Sequence, residues 1–145
     1  MLLATDLDGT FLGGSVTARS RLYQLITSRD DLQLVFVTGR GLEAVMPLLS
    51  DPLIPVPDYI VADVGASVVE GRTLQPIKDI QESIDARWPG ERVVAEALEH
   101  ISALVRQEVP QEHRCSFFCE AHHIDDEVRR IVSELDCDML FSAGK

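Results

Sequence analysis

LLATDLDGTFL, Leu2 to Leu12, sets a short apolar run against two carboxylates, Asp6 and Asp8, with one residue between them. Residues at i and i+2 of a strand share a face. If the strand ends at Asp6, Asp8 falls on the turn beyond it, where Gly9 lets the backbone bend sharply. Such a pair suits a hard, oxygen-seeking cation such as Mg2+. It also suits a division of labour in which one carboxylate attacks as a nucleophile and the other gives and takes a proton. Aspartate and glycine after a strand can also be plain turn formers. A matching hydroxyl at the end of a second strand, Thr38, argues for chemistry.

The pattern from this stretch outward reads strand, helix, strand, helix, strand. Leu2 to Leu7 is apolar on both faces and predicts a buried strand. Thr17 is placed to cap a helix carrying Leu22, Leu25 and Ile26. Leu32 to Thr38 predicts a second strand, GLEAVMPLLS a short helix distorted at Pro47, and YIVAD a third strand. SVVEGRTLQP predicts a hairpin turning near Gly71. Alternation of this kind implies a parallel α/β sheet with right-handed crossovers. It brings Asp6 and Thr38 to the C-terminal ends of neighbouring strands, the edge where open α/β sheets bind ligands. VFVTGR then supplies a hydroxyl at Thr38 and a backbone at Gly39 that can hold a phosphate oxygen, with Arg40 beside them.

From about Ile80 the texture changes. IQESIDARW and ERVVAEALEHISALVRQ read as helices, HRCSFFCEAH as a strand, IDDEVRRIVSEL as a helix and CDMLFSA as a strand. This predicts an α+β unit with its own small sheet, residues 78–145, after a first unit of residues 1–77. The histidines and cysteines of HRCSFFCEAHH invite a zinc reading. On a strand, however, Cys115 and Cys119 stand about 13 Å apart, too far for two thiolates at ~2.3 Å from one ion.

Composition narrows the classes. The chain has 145 residues, of which 46% are hydrophobic, enough for a packed core. Its formal net charge is −11, against nucleic acid or an anionic membrane as partner. An anionic substrate would therefore need a local cation. MLLA is too short for a signal-peptide core, and no apolar run approaches the ~20 residues of a membrane span. With an odd three cysteines, the expected setting is reducing and cytoplasmic.

DLDGT after an apolar strand, with VTGR one crossover later, resembles the haloacid dehalogenase superfamily of phosphatases. VADVGASVV and the segment after it are similar to the sucrose-phosphate phosphatase group, whose core carries an inserted α+β cap of type IIB. The resemblance implies a Mg2+-dependent phosphomonoester hydrolase acting on a phosphorylated sugar through an aspartyl-phosphate. In it Asp6 is the nucleophile and Asp8 the general acid and base. The Asp6 carboxylate and the Asp8 backbone carbonyl hold Mg2+, and Thr38, Gly39 and Arg40 bind phosphate. Asp63 and Ser67, in the DVGAS loop, and Arg114 and Ser116, in the cap, are the candidates for substrate contact.

The resemblance also implies a lysine and a later acidic motif beyond the cap, and neither is in the sequence. The expectation is thus an incomplete core, a nearly inactive 145-residue chain, and self-association through an exposed edge of the first strand. Asp125 and Asp126 are not substitutes, because they stand where a helix start explains them. Two other readings remain beside it. One is a receiver-like phospho-acceptor domain; the other is a non-catalytic fragment that only folds or binds.

Overall fold

The computed structural model describes residues 1–109 and 112–141. The chain divides into two compact units, Met1–Ser83 and Ile84–Lys145. The division falls inside a helix rather than at the change in sequence texture before it.

The first unit is a four-stranded sheet in the order β1-β2-β3-β4. β1 (Leu2–Asp6), β2 (Gln33–Val37) and β3 (Tyr59–Ala62) run parallel, and β4 (Ser67–Glu70) returns antiparallel to β3. Helix α1 (Val16–Thr27) makes the first crossover and α2 (Leu42–Leu49) the second. The cap of α1 is Ser15, whose side chain accepts from the Ala18 N–H, and not Thr17, which lies within the helix. Pro47 sits inside α2. The predicted hairpin turns as expected, although its second arm is a single bridge between Val69 and Pro76. Gly71 is required there: a Cβ would stand 1.9 Å from the Pro57 carbonyl oxygen.

The core of this unit holds Leu7, Phe11, Tyr23, Ile26, Leu34, Phe36, Val45, Ile60, Ala62 and Val69. β2 fits this place by sequence, since Leu34, Val35 and Phe36 are all buried, as expected of a strand inside a parallel sheet. β1 corrects the expectation of a buried first strand. It is an edge strand whose residues alternate exposed and half-buried, with Leu2 62% exposed. Apolar composition gave it β character; the lack of a second partner strand among the described residues leaves it uncovered. That open edge is a template for further pairing.

The second unit holds α4 (Glu91–Leu98), α5 (Asp126–Glu134) and a two-stranded antiparallel sheet of β5 (Val105–Arg106) and β6 (Phe117–Phe118); α3 (Lys78–Asp85) spans the division. Its core is a separate cluster of Val94, Leu98, Val128, Ile131 and Val132. The single long helix expected from Glu91 to Gln107 is instead a helix that stops at Leu98 and a strand that begins at Val105. Pairing of Val105 with Phe118 and Arg106 with Phe117 overrides the local helical periodicity. The strand expected over HRCSFFCEAH shrinks to Phe117–Phe118 and gives way to a 3-10 turn, Ala121–His123. Residues 137–141 of the last expected strand are irregular, and the rest of it, with Lys145, lies outside the described residues. Asp125 caps α5 by accepting from the Val128 N–H at 3.0 Å.

Candidate functional site

β1 delivers Asp6 to its last position, level with Val37 of β2. The chain then leaves the strand through an irregular turn, Leu7–Phe11, closed by the Leu12 N–H donating to the Leu7 carbonyl at 2.9 Å. Asp8 is extended there and Gly9 takes φ +72°, the left-handed bend that glycine tolerates and other residues resist. The turn is anchored from two sides. Leu7 and Phe11 are buried in the core, while Asp6, Asp8 and Thr10 stay exposed. The Tyr23 hydroxyl on α1 donates to the Phe11 carbonyl at 2.8 Å, and its ring stacks on Phe11 at 4.7 Å. Burial pushes the Tyr23 hydroxyl above its usual pKa. Arg19 donates to the Leu12 carbonyl.

Tyr23→Phe keeps the ring and deletes the bond, leaving the Phe11 carbonyl without that donor. It should lower stability by about 1 kcal/mol and loosen the turn that presents Asp6 and Asp8. Paired thermal melts and hydrogen exchange of the Phe11–Gly13 amides check this; an unchanged melt and unchanged exchange would remove the anchor role.

β2 delivers the next group. Thr38 is 4% exposed, and its N–H donates to the Val61 carbonyl at 2.9 Å, just past the last paired residues of β2 and β3. Its Oγ1 accepts from the Arg40 N–H at 3.1 Å, so the hydroxyl proton can be donated elsewhere. Arg40 reaches back to β1's turn. Its Nε and Nη2 donate to the two oxygens of Asp8 at 2.8 and 2.5 Å. This bidentate pair raises the Arg40 pKa. Thr10 Oγ1, at 3.3 Å, donates to Asp6 Oδ2.

β3 is followed at once by a 3-10 turn that opens with Asp63 and Val64, both at positive φ, +51° and +61°. For a β-branched residue such as Val64 this is a strained conformation. It is fixed from the β2 side, because Asp63 N–H donates to the Arg40 carbonyl and Val64 N–H to the Thr38 carbonyl. The Asp63 carboxylate packs beside Gly41. Ser67 opens β4, paired with Ala62.

The structure thus gathers Asp6, Asp8, Thr38, Gly39, Arg40 and Asp63 at the C-terminal ends of three adjacent parallel strands, with Ser67 on the strand that returns from them. Arg114 and Ser116 belong to the second unit. They lie just before β6, not within it, and the Ser116 carbonyl accepts from the Gln107 N–H at 2.9 Å. Sequence reasoning misses three partners: Thr10 for Asp6, Arg40 for Asp8, and Tyr23 for the turn. Thr10 is within its reach, since it lies in the same DLDGT run four residues after Asp6. The other two cross between elements and leave no local trace.

The chain is similar to known proteins in sequence and in fold. The model of the sucrose-6F-phosphate phosphohydrolase family matches residues 1–145. The chain is 54% identical to a glucosylglycerol-phosphate synthase of Pseudomonas anguilliseptica, over 100% of this chain and 19% of that protein. It is 26% identical to a mannosylfructose-phosphate phosphatase of Agrobacterium fabrum, over 99% of this chain and 61% of that one. Among solved structures it superposes on a Synechocystis sucrose-phosphatase in complex with sucrose and phosphate, with TM-score 0.71 and 20% identity, covering 94% of this chain and 55% of that one. A haloacid dehalogenase-like hydrolase from Bacillus subtilis gives TM-score 0.61 at 13% identity, covering 99% and 57%. The chain therefore spans little more than half of these structures and less than two thirds of either relative. With its family model matched over residues 1–145, the chain belongs to the sucrose-6F-phosphate phosphohydrolase family of the haloacid dehalogenase superfamily.

Proposed function

We propose that this chain supplies the nucleophile, the proton donor and the phosphate cradle of a sugar-phosphate phosphatase. The observation that carries the reading is the convergence of Asp6, Asp8, Thr38 and Arg40 at one sheet edge. Asp6 stands exposed at a strand end with one oxygen held by Thr10. It attacks phosphorus, the bond from phosphorus to the sugar oxygen breaks, and an aspartyl-phosphate forms. Asp8 gives its proton to the departing oxygen, then takes one from the water that attacks the aspartyl-phosphate, releasing phosphate and restoring Asp6.

Asp8 cannot serve while both its oxygens accept from Arg40. An incoming phosphoryl group offers Arg40 a more highly charged partner of the same bidentate kind. Arg40 thus leaves Asp8 for substrate, and the freed carboxylate takes up a proton from solvent, the proton it then gives to the departing sugar oxygen. Thr38 donates its remaining hydroxyl proton to a phosphoryl oxygen, beside the Gly39 backbone. Asp63 holds the loop from Thr38 to Gly41 in place, while Ser67 is the polar side chain at this edge left for the sugar.

The donor set suits Mg2+: an exposed carboxylate on Asp6 and the backbone carbonyl of Asp8 are both hard oxygen ligands on one turn. When bound there, Mg2+ supplies positive charge against the phosphoryl oxygens of an otherwise acidic protein.

The 54% identity to a glucosylglycerol-phosphate synthase, against 26% to a mannosylfructose-phosphate phosphatase, favours a phosphorylated glucosylglycerol over a phosphorylated disaccharide. Phosphate release by the full-length protein should stop with EDTA and return with Mg2+. Glucosylglycerol phosphate and sucrose 6-phosphate should exceed nucleotides and phosphotyrosine peptides in kcat/KM by at least about tenfold, or ~1.4 kcal/mol. Full activity in EDTA, or a preference for the peptide, would defeat this reading.

A further inference from the structure

The second unit carries a cluster that the phosphatase reading leaves unused. We propose that Glu120, His122 and His123 form a surface site for a divalent transition-metal ion of the zinc class. Their ligand atoms all lie within 4.8 Å of one another, and among the described residues they are the one trio of histidine, cysteine or acidic side chains so arranged. All three side chains are exposed, so an ion reaches them without any opening of the core.

The backbone assembles the site. A strand through this segment would send Glu120 and His123 to opposite faces. Instead the chain makes the 3-10 turn Ala121–His123, closed by the His123 N–H donating to the Glu120 carbonyl at 2.9 Å. The Asp125 N–H then donates to the His123 carbonyl at 3.1 Å and fixes the exit. Donors that come from one turn have already lost most of the entropy that separate loops would lose on gathering around an ion. His122 Nδ1 is 3.4 Å from Glu120 Oε2, and the two imidazole rings stand 4.0 Å apart. Nitrogen and oxygen donors at ~2.0–2.1 Å from a tetrahedral ion are separated by about 3.4 Å. The Glu120–His122 pair already has that spacing, and His123 needs a modest side-chain rotation.

The donor chemistry selects the ion. Two imidazoles and one carboxylate form a borderline set that suits zinc and its neighbours. Mg2+ and Ca2+ prefer oxygen alone. Three protein ligands also leave positions for water or an added group, and a net charge of −11 favours cation approach. Cys115 and Cys119 on a strand could not share an ion, but this trio needs no thiolate.

Titration of the reduced, chelator-treated protein with Co2+ in the presence of Mg2+, which keeps the Asp6–Asp8 turn occupied, followed by displacement with Zn2+, tests the proposal by visible absorption. The expected result is one equivalent bound with no sulfur charge-transfer band, unaffected by excess Mg2+. His122→Ala and His123→Ala should each weaken binding by at least about tenfold, with circular dichroism unchanged because the side chains are exposed. Glu120→Gln should also weaken it. A thiolate band, an unchanged titration in the double variant His122→Ala/His123→Ala, competition by Mg2+, or no Co2+ binding would each overturn it.

Discussion

Asp6→Asn is expected to abolish phosphate release by the full-length protein, a loss of at least about 10⁴-fold, while leaving its thermal unfolding nearly unchanged. Amide nitrogen and oxygen are far weaker nucleophiles than a carboxylate, so no aspartyl-phosphate can form. Removing the attacking group of a catalytic set typically costs orders of magnitude more than removing a binding contact. The stability half of the statement follows from geometry. Asp6 is the exposed last residue of an edge strand, and its side-chain partner in the turn, the Thr10 hydroxyl, can still donate to the Asn oxygen. A phosphate-release assay with a parallel melt measures both. Retained turnover would take the nucleophile's part away from Asp6. A collapsed melt would show that the loss is structural.

Asp8→Asn is expected to slow turnover by about 10²–10⁴-fold on a sugar phosphate, and by much less on an aryl phosphate whose leaving group departs without a proton. That difference is diagnostic. A variant that merely disordered the turn would lose both substrates equally. Arg40 gives the complementary result. With Arg40→Gln, phosphate binding should weaken, so KM rises, while Asp8 no longer waits for substrate to draw a guanidinium away. Equal losses on sugar and aryl phosphates in Asp8→Asn would leave the proton donor to be sought elsewhere.

Much of the site can be read from sequence because a polar residue that closes an apolar, β-rich run stands out from it. An apolar run stopping at Asp6, and another stopping at Thr38, place both residues on one edge once the strands are parallel. The second unit is less legible. Val94, Ala97, Leu98, Ile101, Leu104 and Val105 carry a helical period through to the last of them. Val105 nevertheless pairs with Phe118, a choice made by a residue thirteen positions away that no local period reports. The open edge of β1 agrees with the expected exposed edge of the first strand, but the burial expected of its two apolar faces does not hold. Leu2 and Leu3 suit a strand, but coverage depends on what lies beside it. The clasp of Arg40 on Asp8 joins two turns through side chains alone, and periodicity carries no information about such links.

The two hydrophobic clusters share no residue, and each lies within one unit. Cooperative opening follows shared packing. The smaller cluster, five buried residues, can therefore breathe while the larger one of ten stays closed. Amides of α4 and α5 should then exchange with solvent sooner than those of β2. Such a division also lets lineages vary one half at little risk to the other. Substitutions around α4 and α5 can accumulate without disturbing the packing that holds Asp6 and Thr38 in register.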